Sequence, residues 1–157
     1  MNISLELIER LINRYPDVIV GIKDSTGNWE NTQSILERNW NDFRVFCGSE
    51  VFLLQTMRAG GSGCVSATVN INASAIYNLY KAWESNEADD LQQQLNQVRQ
   101  TVEAYPMIPA LKSVVSYHRK DPDWSIVRPP FISLEQATQQ ELVQKLDQIG
   151  FEIPNLD

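Results

Sequence analysis

Across 157 residues the sequence holds two cysteines and one histidine, too few for most of the chemistry those side chains serve. Cys47 and Cys64 each lie in an apolar segment, without the C-x-x-C spacing of a zinc site or the density of a disulfide scaffold, so both read as reduced core thiols. His118 stands far along the chain beside Arg119, Lys120 and Asp121, where a helix end would favour a cation. A surface or capping role suits it better than pairing with a thiol. No metal site is expected. Basic residues are also scarce, 13 Lys and Arg against 20 Asp and Glu for a net charge of −7. No cluster of them could neutralise phosphates, which argues against nucleic acid and anionic membrane as partners. Long hydrophobic runs are missing too. Val18 to Ile22 falls far short of the roughly 20 residues that span a bilayer, and MNISLELIER carries Glu where a signal peptide needs apolar residues. A cytoplasmic location is expected.

What the sequence does have is alternation. Leu5, Ile8, Leu11, Ile12 and Tyr15 recur at helical spacing from Ser4 to Tyr15, and Pro16 ends the segment. Val18 to Lys23 is a β-branched run bounded by Pro16 and the turn-forming Ser25-Thr26-Gly27-Asn28, which predicts a strand buried on both faces. A helix fits Trp29 to Trp40. Arg44 to Cys47 repeats the strand signature, and Val51 to Arg58 is helical with Gly60 beyond its end. Gly63 to Val69 is the next strand, and Asn72 can cap a helix ending near Trp83. Short strands alternating with amphipathic helices indicate about three parallel β/α units. Beyond Asn86 the pattern is helical only: Leu91 to Glu103, Pro106 to His118, then a helix from Ser133 with a Ser133-x-x-Gln136 capping box, its apolar face on Leu142, Leu146 and Ile149 and its end at Gly150. Asp121 to Pro130, rich in proline, reads as an ordered loop. Three parallel strands leave two open edges, so the chain is either an open α/β sandwich or part of a closed barrel, which uses eight.

Lys23 is the first candidate for chemistry, because parallel β/α folds place their sites at the carboxyl ends of the strands. Alternation puts it on a face with Gly21 and Ile19, away from Asp24, which therefore should not pair with it. On an apolar face, desolvation favours the neutral amine, the only form that attacks a carbonyl to give a Schiff base. On position alone, a solvated lysine opening a loop is the commoner occupant of such a place. The glycines of Ala59-Gly-Gly-Ser-Gly63 suggest a phosphate loop, but they end a helix and precede a strand, the reverse of the dinucleotide arrangement. Glu50 suits a helix-start carboxylate as well as a ligand contact. Trp29, Trp40, Trp83 and Trp124 share no spacing and read as core or subunit packing.

Gly21-Ile-Lys-Asp-Ser-Thr-Gly27 resembles the Schiff-base lysine strand of the dihydrodipicolinate synthase and N-acetylneuraminate lyase family. Phe46-Cys-Gly-Ser-Glu50, Arg58 to Asn70, Ile108-Pro-Ala-Leu-Lys112 and Val127-Arg-Pro-Pro130 resemble, in order, that family's next strand and loop, its last barrel strand and its carboxy-terminal helices. The resemblance implies an α/β fold: a partial (β/α)8 TIM barrel, its last three β/α units in residues 1–85, followed by a helical extension in 86–157 that packs on the barrel and in oligomer contacts. It implies a class I aldolase without a cofactor, in which Lys23 condenses with pyruvate or another 2-keto acid that then adds to or is cleaved from an aldehyde. Gly48, Ser49, Glu50, Val65 and Ala67 would line the substrates, Val65 against the pyruvate moiety. It also implies that about five strands, with the carboxylate loop and the proton-relaying tyrosine, lie outside this sequence. Tyr15, Tyr77, Tyr80, Tyr105 and Tyr117 all fall in expected helices and none matches that role. The partner is then a homo-oligomer, as tetramers are common in the family, or a complementing amino-terminal half. The alternative is a non-catalytic barrel fragment acting as an oligomerising or binding module.

Overall fold

A computed structural model describes residues 3–154; residues 155–157 of the expected extension lie outside the described residues. The chain opens with α1 (Leu5–Arg14), where the Ser4 hydroxyl accepts the Leu7 N–H. Three strands follow, β1 (Gly21–Asp24), β2 (Arg44–Cys47) and β3 (Gly63–Cys64), all parallel and in the order β1-β2-β3. Between them lie α2 (Trp29–Leu36), a 3-10 turn (Glu50–Phe52) and α3 (Leu53–Arg58). The remainder is helical: α4 (Val69–Ala82), α5 (Ala88–Glu103), α6 (Met107–Arg119), a 3-10 turn (Pro122–Ser125) and α7 (Gln136–Gln148).

Several boundaries differ from expectation for identifiable reasons. Helix α2 stops at Leu36 rather than Trp40 because the chain turns through Asn39, which holds a positive φ of 46°. The strand expected over Gly63 to Val69 keeps only two residues in the ladder, since among the described residues no strand pairs with its outer edge and the chain bends inward at Ser66. Asn72 is non-helical (φ −129°, ψ 31°) at a kink that joins two helices within α4, so the helix ending near Trp83 starts after it as expected, and a short helical stretch from Val69 precedes it. The Ser133-Gln136 capping box does not form. Glu135 is the cap residue of α7, and the Ser133 hydroxyl instead donates to the Ser125 carbonyl at 2.9 Å. Tyr15 follows α1 and Tyr105 lies in the bend before α6, outside the helices expected to hold them.

The larger correction concerns β1. The expected strand, buried on both faces, is covered on one only. In a parallel ladder, partnered residues share a face, so Gly21 and Lys23 lie with Arg44, Phe46 and Gly63, while Ile22 and Asp24 lie with Val45, Cys47 and Cys64. The second set meets the helices and is largely buried: Val45 is 4% exposed and Cys47 0%. Among the described residues the first set is the less covered: Gly21, Lys23 and Arg44 are exposed and Phe46 is half-buried, while Gly63 is buried near the Tyr80 ring of α4. Ile8, Ile35 and Val45 form the core between α1, α2 and the sheet. Leu53, Leu54, Ile76, Leu79, Ala88 and Leu95 join α3, α4 and α5. The helical half centres on Val98, Val102, Val114, Leu142 and Leu146. Leu95 and Ala88 thus pack with Leu53 across the 85/86 boundary, each buried leucine contributing about 1.5–3 kcal/mol.

The ends of β1 and β2 touch backbone to backbone at Gly48. A Cβ there would stand 2.5 Å from the Asp24 carbonyl oxygen and 2.9 Å from the Ser25 Cα. Gly48→Ala is therefore expected to push the end of β1 away and cost about 1–3 kcal/mol, read as a lowered urea midpoint. An unchanged midpoint would mean that the two strand ends part freely.

Candidate active site

Lys23 occupies the carboxyl end of the central part of β1 with Phe46 as its partner on β2. Val65 continues the alternation of β3 onto the same face, its N–H donating to the Cys47 carbonyl at 2.9 Å, and its side chain is 48% exposed. Lys23, Phe46 and Val65 therefore form a row across the strand ends on the less covered face. Lys23 is itself exposed, and it borders a cleft of about 330 Å³ with Ser25, Thr26 and Asn31. The water-poor setting expected for its amine is absent from this chain, because that setting needs a wall facing the open side of the sheet. Among the described residues Lys23 makes no ion pair or side-chain hydrogen bond.

Asp24 turns the other way, as alternation requires. It is 5% exposed and accepts from the Thr32 hydroxyl at 2.6 Å, the Asn31 amide at 3.0 Å and the Thr26 N–H at 2.9 Å. Burial pushes its carboxyl up, but these donors together hold it below the usual carboxylate range. Asp24 thereby ties the loop that follows Lys23 to the first turns of α2. Sequence reasoning used Asp24 only to exclude a partner for Lys23. The signal for its anchoring role was an inward-facing carboxylate shortly before the hydroxyl and amide of Thr32 and Asn31.

Of the residues expected to line the substrates, Val65 and Ala67 are exposed at the strand ends, whereas Gly48, Ser49 and Glu50 serve the scaffold. Gly48 provides the close approach described above. Ser49 is 7% exposed and its hydroxyl caps the 3-10 turn by accepting the Val51 N–H. Glu50 is fully buried. Its carboxylate accepts from the Ser66 and Thr68 hydroxyls that flank Ala67 and faces the Arg99 guanidinium of α5 at 3.4 Å. No oxygen of that carboxylate is left facing solvent, and in this chain Glu50 acts as an internal anchor. Arg99 also donates to Ser66 Oγ at 3.2 Å and pairs with Glu103 at 2.6 Å. Gln92 completes the junction, donating to the Glu50 carbonyl at 2.9 Å and accepting the Leu54 N–H at 3.0 Å. The arrangement offers a single amine as nucleophile and a rigid frame around it. Among the described residues no group of three His, Cys, Asp or Glu side chains could hold a metal ion.

Two outcomes follow from this geometry. Glu50→Ala leaves the Ser66 and Thr68 hydroxyls without their acceptor and takes from Arg99 its buried partner while Glu103 remains, so it is expected to cost about 1–3 kcal/mol. Glu50→Gln, which keeps acceptors for the hydroxyls, is expected to cost less, and equal urea midpoints for the two variants would mean that those hydroxyl contacts contribute nothing. For Asp24, a folded-state carboxyl held below its unfolded value of about 3.9 contributes stability that is full above that value and lost as pH falls through the folded one. The stability difference between wild type and Asp24→Asn should therefore shrink on acidification below about pH 4. Urea titrations across that range check it, and a pH-independent difference would count against the linkage.

The Dihydrodipicolinate synthetase family model matches residues 1–149. The chain is 30% identical over 150 residues to a 4-hydroxy-tetrahydrodipicolinate synthase from Alcanivorax borkumensis, covering 92% of this chain and 49% of that protein. A Staphylococcus saprophyticus synthase is 25% identical over 155 residues, covering 94% and 50%. Among solved structures, dihydrodipicolinate synthase from Agrobacterium tumefaciens superposes with a TM-score of 0.80 at 27% identity, over 95% of this chain and 50% of that one. YagE, a prophage protein of the dihydrodipicolinic acid synthase family from E. coli K12 in complex with pyruvate, gives 0.80 at 26%, over 94% and 51%. The chain spans about half the length of the curated relatives it matches. From the family match over 1–149, the ordered strand motifs and the shared barrel-type fold, the chain belongs to the Dihydrodipicolinate synthetase family.

Proposed function

We propose that this chain supplies the lysine-bearing strands of a carbon-carbon lyase acting on pyruvate or a related 2-keto acid. One observation carries the reading: Lys23 is the penultimate residue of a parallel strand, on its less covered face, in line with Phe46 and Val65. The amine of Lys23 adds to the keto carbon, and loss of water leaves an imine. That imine accepts the electron pair released or used at the neighbouring carbon, which is the step shared by aldol cleavage and addition. Val65 and Ala67 lie against the keto acid, and an aldehyde is the second substrate. Gly48, Ser49 and Glu50 hold the loops in place.

In this reading the chain is the last three β/α units of an eight-stranded barrel, with 86–157 as an extension that packs on the barrel and at oligomer contacts. The wall opposite Lys23 comes from a complementing amino-terminal half, which also brings the general acid-base group that the strands here lack. Such assistance is typically worth 10²–10⁴-fold, so the chain alone is expected to react slowly. The exposure of Lys23, together with Val18 at 72% and Val20 at 54% beside it, favours a second reading. In that one the fragment is non-catalytic and persists as an oligomerising or binding module.

Reduction with borohydride in the presence of pyruvate separates the two. Intact mass should show one covalent adduct on wild type, much increased when a complementing amino-terminal half is added, and none on Lys23→Ala. No adduct under either condition, or an equal adduct on the variant, removes the lyase reading. Light scattering on the chain alone then tests the module, which requires an oligomer.

A further inference from the structure

Behind the row formed by Lys23, Phe46 and Val65, on the helix-covered face of the sheet, the two cysteines are brought side by side. Cys47 and Cys64 are Cα partners in the parallel register of β2 and β3, so both side chains leave the sheet in the same direction. Neighbouring strands run about 4.7–4.9 Å apart, inside the 4.4–6.8 Å between Cα atoms that a disulfide spans. The Cys47 sulfur reaches toward β3: it lies 3.6 Å from the carbonyl oxygen of Gly63, the residue before Cys64, and 3.2 Å from that of Ser49. Cys47 is fully buried and Cys64 half-buried. A disulfide needs the two Cβ atoms roughly 1 Å closer than the strand spacing. Here the constraint against that movement is weak, because β3 holds only two ladder residues and, among the described residues, no strand flanks its far side.

The chemistry of the pair agrees with the geometry. The neighbouring thiol pushes Cys47 down and, together with burial, pushes Cys64 up. The first proton of the pair thus leaves more readily than the second, and a thiolate is the nucleophile in sulfur oxidation.

We propose that Cys47 and Cys64 form a dithiol that hydroperoxides close to a disulfide, joining the carboxyl ends of β2 and β3 directly behind the candidate site. The Cys47 sulfur attacks one peroxide oxygen, the O–O bond breaks, and a sulfenic acid forms while the other oxygen departs as water with the thiol proton. The Cys64 sulfur then displaces the sulfenic oxygen as a second water, giving up its own proton as the S–S bond forms. With hydrogen peroxide, two thiols lose two electrons and two protons and the peroxide becomes two waters. Gly48 and Val65 follow the two cysteines directly, so the bond clamps the backbone that carries both strand-end loops. The dithiol stands whether or not Lys23 condenses with a keto acid.

Native protein is treated with hydrogen peroxide, quenched with catalase, denatured and alkylated, and its intact mass is measured. The expected product is lighter by two hydrogens, carries no alkyl group, and yields on trypsin digestion a link between the peptides 45–58 and 59–81. Dithiothreitol should restore two alkylatable thiols. Because the fold holds the two cysteines on neighbouring strands, the link should form within one molecule. In Cys64→Ser, Cys47 should stop at a sulfenic acid that dimedone traps on denaturation. Two thiols that stay alkylatable, or bonds formed only between molecules, would each overturn the proposal.

Discussion

The buried carboxylate of Glu50 is the constraint around which this chain is organised. A carboxylate removed from water must have its acceptor sites filled or it costs several kcal/mol. Here they are filled from three directions: two hydroxyls beyond β3 and a guanidinium on α5. Meeting that demand decides where β3 ends, since Ser66 must turn inward just after Val65. It also leaves Val65 and Ala67, which alternate with Ser66 and Thr68, facing outward at the strand ends. Through Arg99 and Gln92 the same carboxylate fixes α5 against the turn that starts α3. The helical half is therefore wired into the sheet, and the leucine cluster spanning α3, α4 and α5 fills the space behind that junction.

Against this well-packed side stands a sheet face that the described residues leave largely uncovered. The contrast explains how two adjacent charged residues of β1 behave in opposite ways. Asp24, pointing to the helices, is immobilised by three donors, while Lys23, pointing away from them, meets none. Burial is what disfavours a charged ammonium, and on the open face no element of this chain supplies it. Position and environment are thus separable properties of a lysine nucleophile: β1 and its neighbours provide the first, and a facing wall would have to provide the second.

That separation also marks what could be read from the sequence. Arg44 to Cys47 was legible to the residue, because a β-branched and aromatic run stopped by Gly48-Ser49 has one local solution. The facing of Lys23 and Asp24 was legible from alternation alone. The burial of β1 was not, since Val18 to Ile22 declares that the segment is apolar without declaring what covers it; Val18 and Val20 remain exposed. The inward turn of Glu50 escaped for a different reason: its partners lie 16, 18 and 49 positions away, and no local pattern connects them. Ser133 shows the same failure at shorter range. Its spacing to Gln136 suits a capping box, but the Ser125 carbonyl, brought near by the loop, takes its hydroxyl.

The open face also discriminates between ways of covering it. A second copy of this chain brings three more parallel strands, and six do not make the eight that the closed barrel of such units contains. It would, in addition, set a second exposed lysine near the first on the shared interior, where like charges repel in a low-dielectric space. A chain bringing five further strands would instead pair with the edges of both β1 and β3 at once, which would satisfy the backbone groups of each edge. It also covers Val18 and Val20 and encloses Lys23 without a competing charge from a duplicate. If the chain works as part of a lyase, physical economy therefore favours an unlike partner over a self-pair for closing the barrel, and leaves self-association to the outer helical surfaces.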